Sequence, residues 1–210
     1  PIDKHGEFTQ EAFKLLGVRY VVHRISDGRN IWAYPVWNYP YYNLVYKDEH
    51  FEVHENTRVF PRAFLASSYT LRSSDSEILR GFFDPGIDRR ETLVLEEKPE
   101  REPEKGEGSV DIIRYEPTRI AMRIQTSVPK LLFLSDSYHP GWQVLVHGAP
   151  TKLLRADYAF RAVWVPEGEY TVEFIYKPQS FMLGMAIAIG TFIVLIIGSA
   201  TRKTYAHRFL

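Results

Sequence analysis

From residue 110 to 176, apolar and polar positions alternate in short runs separated by turn residues. A period of two puts one face of an extended chain into a core and the other into solvent. The pattern predicts strands over 110–115, 119–126, 131–135, 142–147, 152–155, 160–165 and 170–176. The clusters V-P-K, Y-H-P-G, H-G-A-P and P-E-G-E divide them. Seven short strands at this spacing point to a β-sandwich. In the last of them Tyr170, Val172, Phe174 and Tyr176 share one largely aromatic face.

The first half is mixed. Thr9 is the expected cap of a short helix over 11–16, closed by Gly17. Strands are expected over 18–23, 51–54, 62–71 and 92–95, and a helix from a Ser74 or Asp75 cap through Phe82. Between them, residues 31–46 hold Trp32, Tyr34, Trp37, Tyr39, Tyr41, Tyr42 and Tyr46, and Pro35 and Pro40 rule out a long regular element. Residues 96–107 break the pattern: nine of the twelve are charged and none is apolar. Such a run buries nothing and reads as a solvated linker.

The end of the chain changes the class of protein. Residues 181–200 are 20 consecutive uncharged positions. As a helix they span roughly 30 Å, the thickness of a bilayer core. Arg202, Lys203 and Arg208 follow, with no acid among them. By the positive-inside bias the tail is cytoplasmic and residues 1–178 are extracytoplasmic, at a plasma membrane. Gly184, Ala188 and Gly190 would let a neighbouring helix approach closely. The organisation expected is therefore a mixed α/β subdomain (1–95), a charged linker (96–108), a β-sandwich (109–178), one transmembrane helix (179–201) and a basic tail (202–210). The fold class is mainly β with a few short helices.

Composition excludes several chemistries. Formal net charge is zero, so no global field favours nucleic acid. The absence of cysteine removes disulfide and thiolate chemistry. The seven histidines show no metal-ligand spacing, and Ser67 and Ser68 lack a nucleophile-elbow context. No catalytic set, metal site or cofactor motif is expected. The sequence opens on Pro1 rather than Met and reads as a processed chain or a fragment of a longer one.

The densest chemistry lies in S-D-S-Y-H-P-G-W, residues 135–142. Asp136 and His139 are an acid/base or ligand pair only if a third group joins them. The structural reading is a corner between strands. Pro140 and Gly141 suit a type II turn, Asp136 accepts nearby backbone N–H groups, and Trp142 covers the end of the sandwich. The aromatic residues Trp32, Tyr34, Trp37, Tyr41 and Tyr42 are candidates for stacking on sugar rings or lying at the bilayer interface, against ordinary packing.

The order of motifs resembles the C-terminal end of the YfhO family of bacterial membrane proteins. It runs L134-S-D-S-Y-H-P-G-W-Q, V146-H-G, then R155-A-D-Y-A-F-R-A-V-W-V-P-E-G-E-Y, then a membrane helix. The residues carrying it are Ser135, Asp136, Tyr138, Pro140, Gly141, Trp142, Asp157, Phe160 and Arg161, read as structural. Upstream pieces over 15–22, 53–56, 61–65 and 87–96 also fit. His147 stands where Asp is common, and Asp157 where Asn is common. The resemblance implies a polytopic glycosyltransferase using lipid-linked sugars in the cell envelope, with its catalytic acid outside this chain. Implied partners are the bilayer, the parent protein's other membrane helices, and a lipid-linked sugar or envelope glycan. The alternative is a membrane-anchored sandwich that binds a glycan or an envelope protein.

Overall fold

The structure, a computed structural model, describes residues 7–27, 39–84 and 86–206. In chain order the first half runs α1 (Glu7–Leu15), β1 (Tyr20–Arg24), β2 (Tyr42–Lys47), β3 (Phe51–Asn56), β4 (Ala63–Ala66), β5 (Ser68–Leu71), α2 (Asp75–Phe82) and β6 (Thr92–Leu95). The second half runs β7 (Gly108–Glu116), β8 (Arg119–Thr126), β9 (Lys130–Leu134), β10 (Trp142–Val146), β11 (Ala149–Thr151), β12 (Leu153–Ala156), β13 (Phe160–Val165), β14 (Gly168–Tyr176) and α3 (Gln179–Ala206). The protein is mainly β, with short helices and one long apolar C-terminal helix.

Three sheets form. β1-β3-β2 is small and antiparallel, β11-β10-β14-β8-β7 has five strands, and β4-β9-β13-β12-β6-β5 has six. The five-stranded sheet packs Met122, Ile124, Val172 and Phe174 against Leu132, Leu134, Val163 and Val165 of the six-stranded sheet. The opposite face of the six-stranded sheet buries Phe64, Leu93, Phe133 and Phe160, with Leu15 from α1 and Phe82 from α2. Burial on both faces explains why its strands read as unbroken apolar runs such as L-L-F-L, whereas β8 and β14 alternate.

The six-stranded sheet is curled. β4 and β5 lie at its opposite edges, yet only Ser67 separates them in sequence. Six flat strands would hold those edges about 24 Å apart, whereas two residues of chain reach about 7 Å. The sheet therefore bends round on itself, and the Phe64–Phe133–Phe160 core fills the curl. The expected single strand over 62–71 is thus two, because at Ser67 the chain changes partner from β9 to β6. The backbone N–H groups of Ser67 and Ser68 both donate to the Glu91 carbonyl there. β5 and β6 are parallel and need a crossover, which α2 supplies.

Local signals explain most boundaries. Ser74 caps α2 by accepting from the Glu77 N–H, the S-x-x-E pattern of a capping box. Thr9 is no cap, because α1 already begins at Glu7. Gly17 ends that region at φ 70°. His147 and Gly148 join β10 to β11 with φ 52° and 78°, so this two-residue hairpin takes the doubly positive-φ geometry without an Asp. Residues 96–107 form no strand, and strands from both sides of them pair in one sheet.

Candidate functional site

The S-D-S-Y-H-P-G-W segment forms a corner built around Asp136. Its Oδ1 accepts from Arg62 Nη1 at 3.0 Å and from the Tyr115 hydroxyl at 2.9 Å. Its Oδ2 lies 3.2 Å from Arg161 Nη2. The Arg161 guanidinium lies 4.1 Å from the centroid of the Trp142 ring and 5.7 Å from that of Phe174. Burial pushes Arg161 below its ordinary value, and Asp136 opposes the shift. Burial, then the Asp136 hydrogen bond, pushes the Tyr115 hydroxyl up. Asp136 was expected to accept backbone N–H groups; it accepts side-chain donors instead. Ser135 is buried, and its N–H donates to the Arg62 carbonyl, while the Tyr138 N–H donates to that of Ala159.

The turn is not type II. The Trp142 N–H donates to the His139 carbonyl at 3.0 Å, closing four residues, but Gly141 does not adopt a positive φ. Glycine is required there by proximity. A Cβ at 141 would lie 2.9 Å from Tyr176 Cε2 and 3.0 Å from both His139 Nδ1 and Pro178 Cβ. Tyr176 also packs on Trp142 and His139 with ring centroids 5.2 and 5.5 Å apart. The Lys177 N–H donates to the Gly141 carbonyl at 2.8 Å. The corner is thereby tied to the junction where β14 passes into α3. Gly141→Ala is expected to cost about 1–3 kcal/mol by overpacking, measured by urea unfolding of the detergent-solubilised chain.

The other motif residues lie elsewhere. Phe160 is inside the curled sheet, 5.4 Å from Phe133 between centroids. Asp157, at φ 47°, is 1% exposed. Its Oδ1 accepts from Arg89 Nη2 and from the Val94 N–H, each at 2.8 Å. Arg89 Nη1 donates to the Gly81 carbonyl at the end of α2. β12 and β6 share only the pair Ala156–Leu95, and Asp157 extends the contact: its N–H donates to the Val94 carbonyl while its carboxylate accepts from the Val94 N–H. Burial raises the Asp157 carboxyl to about 6 against the pull of Arg89 and the Val94 N–H.

Of the aromatic candidates, Trp32, Tyr34 and Trp37 lie outside the described residues. Tyr42 is buried and its hydroxyl donates to Gln10 Oε1 at 2.5 Å. Tyr41 is half-buried, packed between Tyr39 and Tyr42 with centroids 5.3 Å away on each side. Arg62, Tyr115 and Arg89 had no local signal, since each meets its aspartate only through the fold.

At the other end of the sandwich an open groove of about 1240 Å³ runs between β4 and β7, the edge strands of the two sheets. Gly168 lines it, and β14 runs nine residues from there to Tyr176. The groove and the corner are therefore about 26 Å apart. Among the described residues, no three His, Asp or Glu side chains converge as metal ligands.

The window Gln179–Ile196 is long and apolar enough to cross a membrane, and no part of it is buried. The molecule is thus a β-rich protein with one candidate membrane span among the described residues. Residues 104–188 match the family model described as bacterial membrane protein YfhO. The protein called "Uncharacterized protein YfhO" from Bacillus subtilis (strain 168) is 23% identical over 93 residues. That alignment covers 44% of this chain and 11% of the relative, so the chain spans about a tenth of that protein's length. No solved structure matches. The stretch that resembles the YfhO family of bacterial membrane proteins thus holds both the corner and the start of α3.

Proposed function

We propose that this region is the extracytoplasmic accessory part of a polytopic glycosyltransferase of the cell envelope. It carries no catalytic set of its own. It sits over the membrane domain and holds an acceptor glycan near the site where a lipid-linked sugar is used. One observation carries this reading: only Lys177 and Pro178 separate β14 from α3, and the Gly141 corner packs on that junction. A short, packed junction fixes the β unit at the bilayer surface instead of letting it swing on a linker. The basic tail after the span supports the orientation. The family match and the far greater length of the relative support a larger membrane-embedded parent.

The test uses the parent protein with residues 1–178 removed and 179–206 retained. Sugar transferred to envelope polymer is expected to fall at least about tenfold, a loss of roughly 1.4 kcal/mol or more in transition-state binding, at normal membrane levels. A cysteine placed at Ser109 should react with an impermeant reagent from outside the cell. Unchanged transfer, or labelling only from the cytosol, overturns the reading.

A further inference from the structure

We propose that the groove between β4 and β7 is a binding site for a neutral, hydroxyl-rich glycan segment, with Lys130 at its base. This rests on the accessory reading for its biological acceptor, but its evidence is separate.

Lys130 lines the groove and is 4% exposed. Among the described residues its ammonium has one hydrogen-bond partner, Ser67 Oγ at 2.7 Å, and no carboxylate. An ammonium has three donors, and leaving donors unmatched in a buried position is costly. Ser67 is itself buried at the point where the chain leaves β4, so it fixes the lysine in place. The remaining donors are available to a ligand in the groove.

The charges of the lining choose the ligand class. Asp88, Glu91, Glu107 and Glu169 line the groove with Arg90 and Lys130, a balance of four acids to two bases. None of the four carboxylates is ion-paired among the described residues. A net negative lining repels an anionic polymer. Carboxylates accept hydrogen bonds from hydroxyl groups, and an ammonium donates to hydroxyl and ring oxygens. The edge strands β4 and β7 each pair on one side only, which leaves backbone donors and acceptors along both walls. Polyhydroxylated neutral sugar satisfies all three features, and the open shape admits a chain rather than an enclosed small molecule.

The experiment is titration calorimetry on the detergent-solubilised full chain, with maltohexaose, cellohexaose and chitohexaose as neutral probes and heparin as an anionic one. At least one neutral hexasaccharide should bind and heparin should not. Lys130→Met should weaken that binding about tenfold, the worth of one charge-assisted hydrogen bond. Its thermal midpoint should stay or rise, because an unpaired buried charge is removed. Glu91→Gln, an exposed substitution that does not endanger the fold, should weaken it by a smaller factor. The proposal is overturned if no neutral probe binds, if heparin binds in preference, or if both variants bind as well as the wild type. The two readings separate cleanly. Glycan binding through Lys130 with transfer unchanged on removal of 1–178 keeps the groove and discards the accessory role. Lost transfer with wild-type binding by both variants does the reverse.

Discussion

Replacing Asp157 with Ala is expected to destabilise the fold by about 3–5 kcal/mol, the cost of leaving a buried charge without its partner. The orphaned charge is Arg89, 6% exposed and held between Asp157 and the Gly81 carbonyl. The Val94 N–H loses its acceptor as well. Ala also suits φ 47° poorly, whereas Asn tolerates it. Asp157→Asn should therefore cost less than Ala, because its amide oxygen still accepts from Arg89 and Val94. Urea unfolding of the two variants in detergent decides the order.

The same residue sets a pH dependence. Its carboxyl moves from 3.8 to about 6 on folding, because burial outweighs the Arg89 and Val94 contacts. The folded state then binds more protons than the unfolded state between those values. Asp157 thus contributes stability that is fully present below pH 3.8 and is lost as pH rises through about 6. The span corresponds to about 3 kcal/mol. Asp157→Asn should flatten the stability profile between pH 4 and pH 6 relative to the wild type. An unaltered slope would refute the assignment.

Phe133→Ala is expected to cost about 3–5 kcal/mol through a cavity that its surroundings cannot close. The ring is fully buried, with Phe64 and Phe160 at 4.8 and 5.4 Å between centroids. The void would close poorly, because β9, which carries Phe133, is held by ladders to β4 on one side and β13 on the other. Phe133→Leu, which keeps most of the volume, should cost under about 1.5 kcal/mol. Equal losses for the two would show that the interior repacks freely.

Strand positions were legible where local pattern and burial agree. β6, β8 and β13 have the boundaries that their residues predict, 92–95, 119–126 and 160–165. The Ser74 cap and the apolar run of α3 are likewise local, since each follows from neighbours within a few residues. Gly141 was legible as special but for the wrong reason. Its identity announced a positive φ, and the fold uses it instead to let Tyr176 and Pro178 approach.

The chain's alternation, its turn residues and its last apolar stretch fixed a mainly β protein with one candidate span, because those properties are decided by contacts along a few residues. The partners of Asp136 and Asp157 were decided only in three dimensions: Arg62 is 74 positions from Asp136, and Arg89 is 68 from Asp157. So were the switch of partner at Ser67, the joining of strands across residues 96–107 and the groove beside Lys130. Each depends on which sheet edges meet, and sheet closure is set by the packing of the whole core, which no window of sequence contains.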